Sequence, residues 1–384
     1  MGDYDHELSK IVAELNRAAP SQQKAGAARG PVVTKSLDDL LAGAASRNAS
    51  DVLLIAGAPV VLRVSGALSI GVGAPLDAED VRSLTLPLLE PSQSEELQKK
   101  RTVDFSFVRE GLGRFRVNIH YQRGTLAASI RLLPSRIPSL ESLHLPASLA
   151  RLAERRQGLV LVTGPTGCGK TSTLAALIDI VNSRRQAHVV TIEDPIEYQH
   201  VNRNSFVEQI EVGRDTPDFG VTLRSIMRQT PDVILVGEMR DAETMATAMT
   251  AAETGHLVLS TLHTNDAIQA MGRILDSFPT ANQPQIRQQL SLALAAVIAQ
   301  QLVPGVDGAA RWPATEIMIA TDAVRALIRK GDDHQLRSQI SVGRDLGMMT
   351  MEQSLAELVR LGRITRDTAY AHCYRADDLQ RYLA

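Results

Sequence analysis

Apolar and polar positions follow three regimes along the chain. From Asp5 to Ala18, Leu8, Ile11, Val12 and Leu15 fall on one helical face, which predicts a short amphipathic helix. Pro20 to Pro31 is rich in Ala, Gly, Gln and Ser without periodicity and reads as a flexible tether, so residues 1–35 form an N-terminal extension. Residues 36–135 carry short, mixed elements. A helical start (Leu37, Leu40, Leu41) leads into the apolar run Val52–Ile55. Gly57 and Pro59 punctuate, and Val60–Val64 alternates as a strand. Ala78–Leu89 and Ser92–Lys100 read as helices. Val103–Val108, Arg114–Tyr121 and Thr125–Leu132 read as strands joined by glycine turns. This is an α+β pattern of modest size.

Pro134, Pro138 and Pro146 space out residues 136–150, which read as a linker with one short helix. Residues 151–384 then switch to continuous apolar strands alternating with amphipathic helices. The strands are Leu159–Thr163, Val189–Ile192, Val233–Val236 and Leu257–Thr261; the helices are Thr171–Ser183, Leu223–Arg228 and Thr244–Thr254. Strands without alternation are buried on both faces, so this half is α/β, a parallel sheet between helical layers. After Ala281 the pattern predicts only helices to the C-terminus.

Composition narrows the function. A chain of 384 residues accommodates two or three domains. Its net charge, 41 − 43 = −2, and its 3% aromatic content give neither a polycation nor a stacking platform, which argues against nucleic acid as a partner. The longest apolar stretch, Leu290–Val303, is cut by Ser291, Gln300 and Gln301 and falls short of a membrane span. The acidic start without an apolar core predicts no standard secretion signal. Two cysteines, Cys168 and Cys373, are too few for a tetracysteine zinc site or a disulfide framework, and the expected compartment is the reducing cytoplasm.

Gly164, Pro165, Thr166, Gly167, Cys168, Gly169, Lys170 and Thr171 spell G-x-x-x-x-G-K-[ST], with an apolar strand before and the helix Thr171–Ser183, with Ser172 in its first turn, behind. The glycines let backbone N–H groups curl around a phosphate, and the helix N-terminus adds partial positive charge. Lys170 reaches the β and γ phosphates of ATP, and the Thr171 hydroxyl is a ligand for Mg²⁺. A cysteine beside a helix N-terminus can carry a depressed pKa, so Cys168 raises the question of oxidative inactivation.

Two further strands end in carboxylates. Asp232–Val236 leads to Gly237 and Glu238, and Val190–Ile192 leads to Glu193, Asp194 and Glu197. Strand ends on the phosphate-loop side face the nucleotide, where a carboxylate holds the metal or orients the attacking water. The next strand runs from His256 to His263, and His263 is placed to contact the γ-phosphate. Upstream, Arg114 and Arg116 share a strand face with Arg131 nearby, a set that could reach a nucleotide held by another domain or subunit.

These runs resemble the type IV pilus retraction ATPases of the PilT/PilU group, within the type II/IV secretion ATPase superfamily. The resemblance rests on GPTGCGKT (Gly164–Thr171), TIEDPIEYQH (Thr191–His200), LRSIMRQTPDVILVGEMRD (Leu223–Asp241), TAAETGHLVLSTLHTNDA (Thr250–Ala267) and GRFRVN (Gly113–Asn118). It covers the chain from about Leu37 onward. It implies a RecA-like P-loop ATPase domain preceded by a smaller PAS-like domain, assembled as a homo-hexamer. It also implies Glu238 and Glu197 as catalytic and metal-facing carboxylates, and His256, His263 and Arg273 as further nucleotide-site residues. Arg114, Arg116 and Arg131 are implied as arginines reaching the nucleotide at the subunit boundary.

The implied activity is ATP hydrolysis that powers pilus retraction and twitching motility. The implied location is the cytoplasmic face of the inner membrane, against a pilus platform protein and alongside a second retraction ATPase. Ala323–Lys330 and Gly347–Thr350 are altered forms of the family's C-terminal runs, with Ala326 and Lys330 where the family carries Asn and Glu. A related export or pilus-assembly ATPase and a non-hydrolysing regulatory subunit are the alternatives. The missing tetracysteine motif argues against assembly motors, and the intact Lys170 and Glu238 argue against the regulator.

Overall fold

The computed structural model describes residues 36–384, with 65, 72 and 309 excepted. The predicted helix Asp5–Ala18 and the tether Pro20–Pro31 lie outside the described residues. The chain divides after Ser135 into two compact units.

In the first unit, strands β1 (Ala49–Ile55), β2 (Val61–Val64), β3 (Ala67–Ile70), β4 (Thr102–Arg109), β5 (Gly113–Gln122) and β6 (Thr125–Leu132) form an antiparallel sheet in the order β3-β2-β1-β6-β5-β4. Alternation decides its faces: Val52, Leu54, Phe115, Val117, Ile119 and Ile130 are buried, packed with Leu41, Val81 and Leu97 of the helices Leu37–Ser46, Ala78–Thr85 and Pro91–Lys100. Capping boxes at Ser36 and Asp77 start the first two of these helices. The short β3 was not foreseen. Its four residues are almost all exposed and carry no alternation to read.

The second unit holds β7 (Gly158–Thr163), β8 (His188–Glu193), β9 (Phe206–Glu211), β10 (Val233–Val236), β11 (Leu257–Leu262), β12 (Leu294–Pro304) and β13 (Arg311–Ile319), in the order β13-β12-β7-β11-β10-β8-β9. Every adjacent pair is parallel except β12 with β13. Successive β7 residues feed opposite layers: Leu159 and Leu161 face one core, Val160 and Val162 the other. The stretch 136–150, read as a linker, packs here as structure, because Leu140, Leu145 and Leu149 are buried with Val160 and Leu177.

One expectation fails outright. Residues after Ala281 are not all helical: the helix Gln283–Ala293 passes directly into β12, and β13 returns beside it. The run from Leu294 is buried on both faces, and a two-sided buried strand shows no period that separates it from a buried helix. The helices beyond Thr350 form a smaller core with this edge, in which Met351, Leu355 and Leu379 meet Val303 and Ala314.

Candidate nucleotide-binding site

Parallel order brings the C-terminal ends of β12, β7, β11, β10 and β8 side by side along one sheet edge, roughly 4.8 Å apart. The predicted chemistry lies on these ends. After Thr163 the backbone turns through Gly164, Gly167 and Gly169, all at positive φ, and enters the helix Lys170–Arg184. Two of these glycines are also required by space. A Cβ on Gly164 would lie 2.1 Å from the Gln300 carbonyl oxygen, and one on Gly169 would lie 2.9 Å from Gln300 Nε2. Pro165, Thr166 and Gly167 form the exposed rim, while Cys168 and Lys170 turn inward and are buried.

Lys170 Nζ donates to the carbonyl oxygens of Gly164 at 2.8 Å and Pro165 at 3.1 Å, and lies 3.5 Å from His263 Nδ1. Burial pulls its ammonium below the usual lysine range, opposed by the Cys168 and Glu238 side chains. On the other side, His263 Nε2 lies 3.5 Å from Glu238 Oε2. His263 therefore bridges the loop lysine and the carboxylate beyond β10. Arg240 Nη2 contacts Glu238 Oε1 at 2.5 Å, a partner the sequence reading passed over. The loop carrying His263 is anchored by Thr163. The Thr163 hydroxyl accepts the Thr264 amide at 3.2 Å and bonds the Thr264 hydroxyl at 2.6 Å.

The carboxylates beyond β8 divide by environment. Glu193 is buried, and its Oε1 accepts from Thr191 at 2.8 Å and Gln209 at 3.0 Å. Burial pushes its carboxyl up, those two bonds oppose the rise, and the nearby Glu197 charge adds to it. Glu193 thus serves the join of β8 and β9, leaving the exposed Asp194 and half-buried Glu197 as the open acids of this segment. Ser172 is engaged with the Tyr198 hydroxyl at 2.8 Å.

Several predicted residues lie elsewhere. His256 sits one residue before β11, at the opposite edge of the sheet, with Nδ1 3.0 Å from the Ala251 carbonyl. The length of β11 separates it from His263 by roughly 20 Å, so within this chain it takes no part in the cradle. Arg273 is exposed in the second half of the helix Ala267–Asp276. Arg114, Arg116 and Arg131 belong to the first unit. Arg116 pairs across strands with Arg131, Arg131 Nε meets Asp51 Oδ1 at 2.9 Å, and Arg114 Nη2 donates to Ser106 at 2.7 Å.

The surroundings of Cys168 bear on the redox question. The thiol is 3% exposed, and burial raises its pKa more than the neighbouring Lys170 lowers it. A protonated, enclosed thiol is a poor nucleophile. The residue that sequence reasoning missed is Gln300 on β12. Its Nε2 donates to the Cys168 carbonyl at 2.5 Å, and its Oε1 accepts from Thr173 at 2.8 Å. The only signal was a polar pair interrupting an apolar run.

The glycine loop, Lys170, His263 and Glu238 meet at these strand ends, an arrangement whose chemistry suits the phosphates of a nucleotide. Thr171, Glu238 and Glu197 offer only oxygen donors, the set that suits Mg²⁺. Known proteins resemble the chain. The sequence profile of the type II/IV secretion system protein family matches residues 116–371. The chain is 43% identical to the type IV pilus retraction ATPase PilT of Pseudomonas aeruginosa over 333 residues, covering 87% of this chain and 96% of that protein. It is 41% identical to the type IV pilus ATPase PilU of the same organism over 334 residues, 87% of each. The crystal structure of the pilus retraction motor PilT with bound ADP superposes with a TM-score of 0.85 at 41% identity, covering 90% of this chain and 99% of that one.

Proposed function

The chain belongs to the type II/IV secretion system protein family, and we propose that within it the protein is an ATP-hydrolysing motor that drives pilus retraction. The bridge that His263 makes between Lys170 and Glu238 carries this reading. Lys170 to His263 and His263 to Glu238 are each 3.5 Å at the mouth of the phosphate loop, which supports a phosphoryl-transfer role for this point.

The roles follow from chemistry. Backbone N–H groups from Gly164 to Thr171 and the helix N-terminus hold the β-phosphate. Lys170 offsets charge on the transferring phosphoryl group, and Glu238 accepts a hydrogen bond from the attacking water and aligns it. His263 sits between them and responds to whether a γ-phosphate is present. Mg²⁺, held by Thr171 with Glu238 and Glu197 nearby, would neutralise phosphate charge. Arg114, Arg116 and Arg131 are guanidinium groups of the kind that complete such sites from a neighbouring subunit, which fits assembly as a homo-hexamer. The PilT name of a relative that covers most of the chain supports retraction as the work performed, acting on a platform protein at the inner face of the inner membrane. No helix among the described residues is long and apolar enough to cross a membrane.

Steady-state ATP hydrolysis by the purified chain and by Glu238→Ala, with particle mass recorded on the same samples, tests the reading. Turnover in a hexamer that Glu238→Ala abolishes supports the motor. A folded, nucleotide-binding hexamer without turnover favours a regulatory subunit.

A further inference from the structure

The loop His263–Asp266 carries His263 from the end of β11 to the helix Ala267–Asp276. Thr163 fixes Thr264, Gln269 of the next helix accepts the Asn265 amide at 3.2 Å and bonds Asp266, and two further anchors come from the C-terminal region. The Tyr374 hydroxyl donates to the Asn265 carbonyl oxygen at 2.8 Å. Glu316 on β13, almost fully buried, accepts the amide of Ala267, the first residue of the next helix, at 3.0 Å. Both contacts lie within four residues of His263.

Tyr374 is itself held with unusual thoroughness for a residue between two short helices. Glu352 is completely buried, and its Oε1 accepts the amides of both Tyr374 and Arg375 at 3.1 Å. Its other oxygen is bonded to Arg337, which also faces Asp378 at 3.9 Å. Two residues before Tyr374, Gln301 Nε2 donates to the His372 carbonyl at 2.9 Å. A carboxylate buried to this depth is costly unless every contact is made, and here the contacts fix one short segment, 372–375. The network ends at a single tyrosine hydroxyl on a carbonyl two residues from His263.

We infer that Tyr374 is a positioning residue for hydrolysis, holding the His263 loop through Asn265 and so joining the C-terminal helices to the nucleotide site. The inference rests on the motor reading above. The physical reason is geometric. His263 faces both Lys170 and Glu238 at 3.5 Å, a distance at which a small loop displacement makes or breaks contact. Displacements near 1 Å in such settings can change rates by up to about a hundredfold. Strain applied to the C-terminal helices by whatever the motor engages would reach His263 by this route.

Tyr374→Phe deletes the hydroxyl and keeps the ring, so the helices stay packed. The full chain and this variant are compared in ATP turnover, in binding of a fluorescent ADP analogue, in melting temperature, and in hydrogen–deuterium exchange. We expect kcat to fall about fivefold, the effect of one net hydrogen bond, with KM and analogue affinity within about twofold. Exchange should quicken at amides 263–270 and stay unchanged in β7 and the helix Lys170–Arg184. Unchanged kcat with unchanged exchange at 263–270 overturns the inference. So does a general rise in exchange with a lowered melting temperature, which marks a merely structural tyrosine. If the wild-type chain shows no turnover, the motor reading fails, and exchange at 263–270 still decides whether Tyr374 holds the loop.

Discussion

Gln300 reaches from β12 and donates its side-chain amide to the carbonyl oxygen of Cys168 at 2.5 Å. That carbonyl belongs to the same planar peptide as the Gly169 N–H, so drawing the oxygen toward β12 aims the N–H the opposite way, into the phosphate cradle. Gln300 also accepts from Thr173, one turn into the following helix. A single side chain thus sets one donor of the cradle and the angle of the helix behind it. Gln300→Leu keeps the bulk and strands the buried Cys168 carbonyl, at roughly 1–3 kcal/mol, while the Thr173 hydroxyl keeps the Gly169 carbonyl at 3.1 Å. ADP affinity should drop about tenfold or more. Titration of a fluorescent ADP analogue checks this, and affinity within twofold of wild type would show that the loop shapes itself.

The two histidines of the β11 segment should behave oppositely. His263 lies at the cradle between Lys170 and Glu238, and His256 caps the far edge through Ala251. His263→Ala is expected to lower kcat about tenfold, the effect of losing its contacts to Lys170 and Glu238. His256→Ala should leave kcat within about twofold and cost about 1 kcal/mol of stability, the size of one hydrogen bond. A His256→Ala enzyme as slow as His263→Ala would mean that this histidine serves a site other than its own subunit's.

Those two residues also show what a sequence carries. Both sit in one motif at the two ends of one strand, and both were assigned to the nucleotide. Spacing fixes that they lie a strand's length apart; it does not say that only the C-terminal end of a parallel strand faces the loop unless the strand's bounds are known. The phosphate loop, β7, β10 and Glu238 were legible because continuous apolar strands and a local motif need no partner to be read. Gln300, Arg240 and Tyr374 were not. Each acts on a residue distant in sequence or beyond its own strand, and pairing between β12 and β7 leaves no local trace. The same blindness turned β12 and β13 into helices and Leu140, Leu145 and Leu149 into a linker.

Cys168 should resist chemistry despite its place in the loop. Burial holds its thiol protonated and out of reach. Iodoacetamide applied to the native protein near neutral pH is expected to leave Cys168 unmodified by mass spectrometry and ATP turnover intact. Rapid alkylation of Cys168 with parallel loss of activity would mean that the loop opens on the timescale of the reaction.

Glu316 gives the chain a pH dependence whose sign can be worked out. Burial raises its carboxyl from an ordinary 4.5 to about 7; the Ala267 amide and the more distant Arg337 oppose the rise, and Asp266 and Glu352 reinforce it. Between these two values the folded chain keeps a proton that the unfolded chain releases. The stabilisation is therefore complete below the unfolded value, is lost as pH rises through the folded one, and is flat above it. Glu316→Gln removes the titration and keeps an oxygen to accept the Ala267 amide. Other groups titrate alike in both proteins, so the difference between their unfolding free energies isolates this one carboxyl. From pH 5 to about pH 7 that difference should move steadily in favour of the glutamine variant and then level off towards pH 8, and urea unfolding of both proteins across the window measures it. A difference that stays constant would mean that Glu316 ionises as it does in water, with its carboxylate paid back by contacts at the start of the His263-side helix.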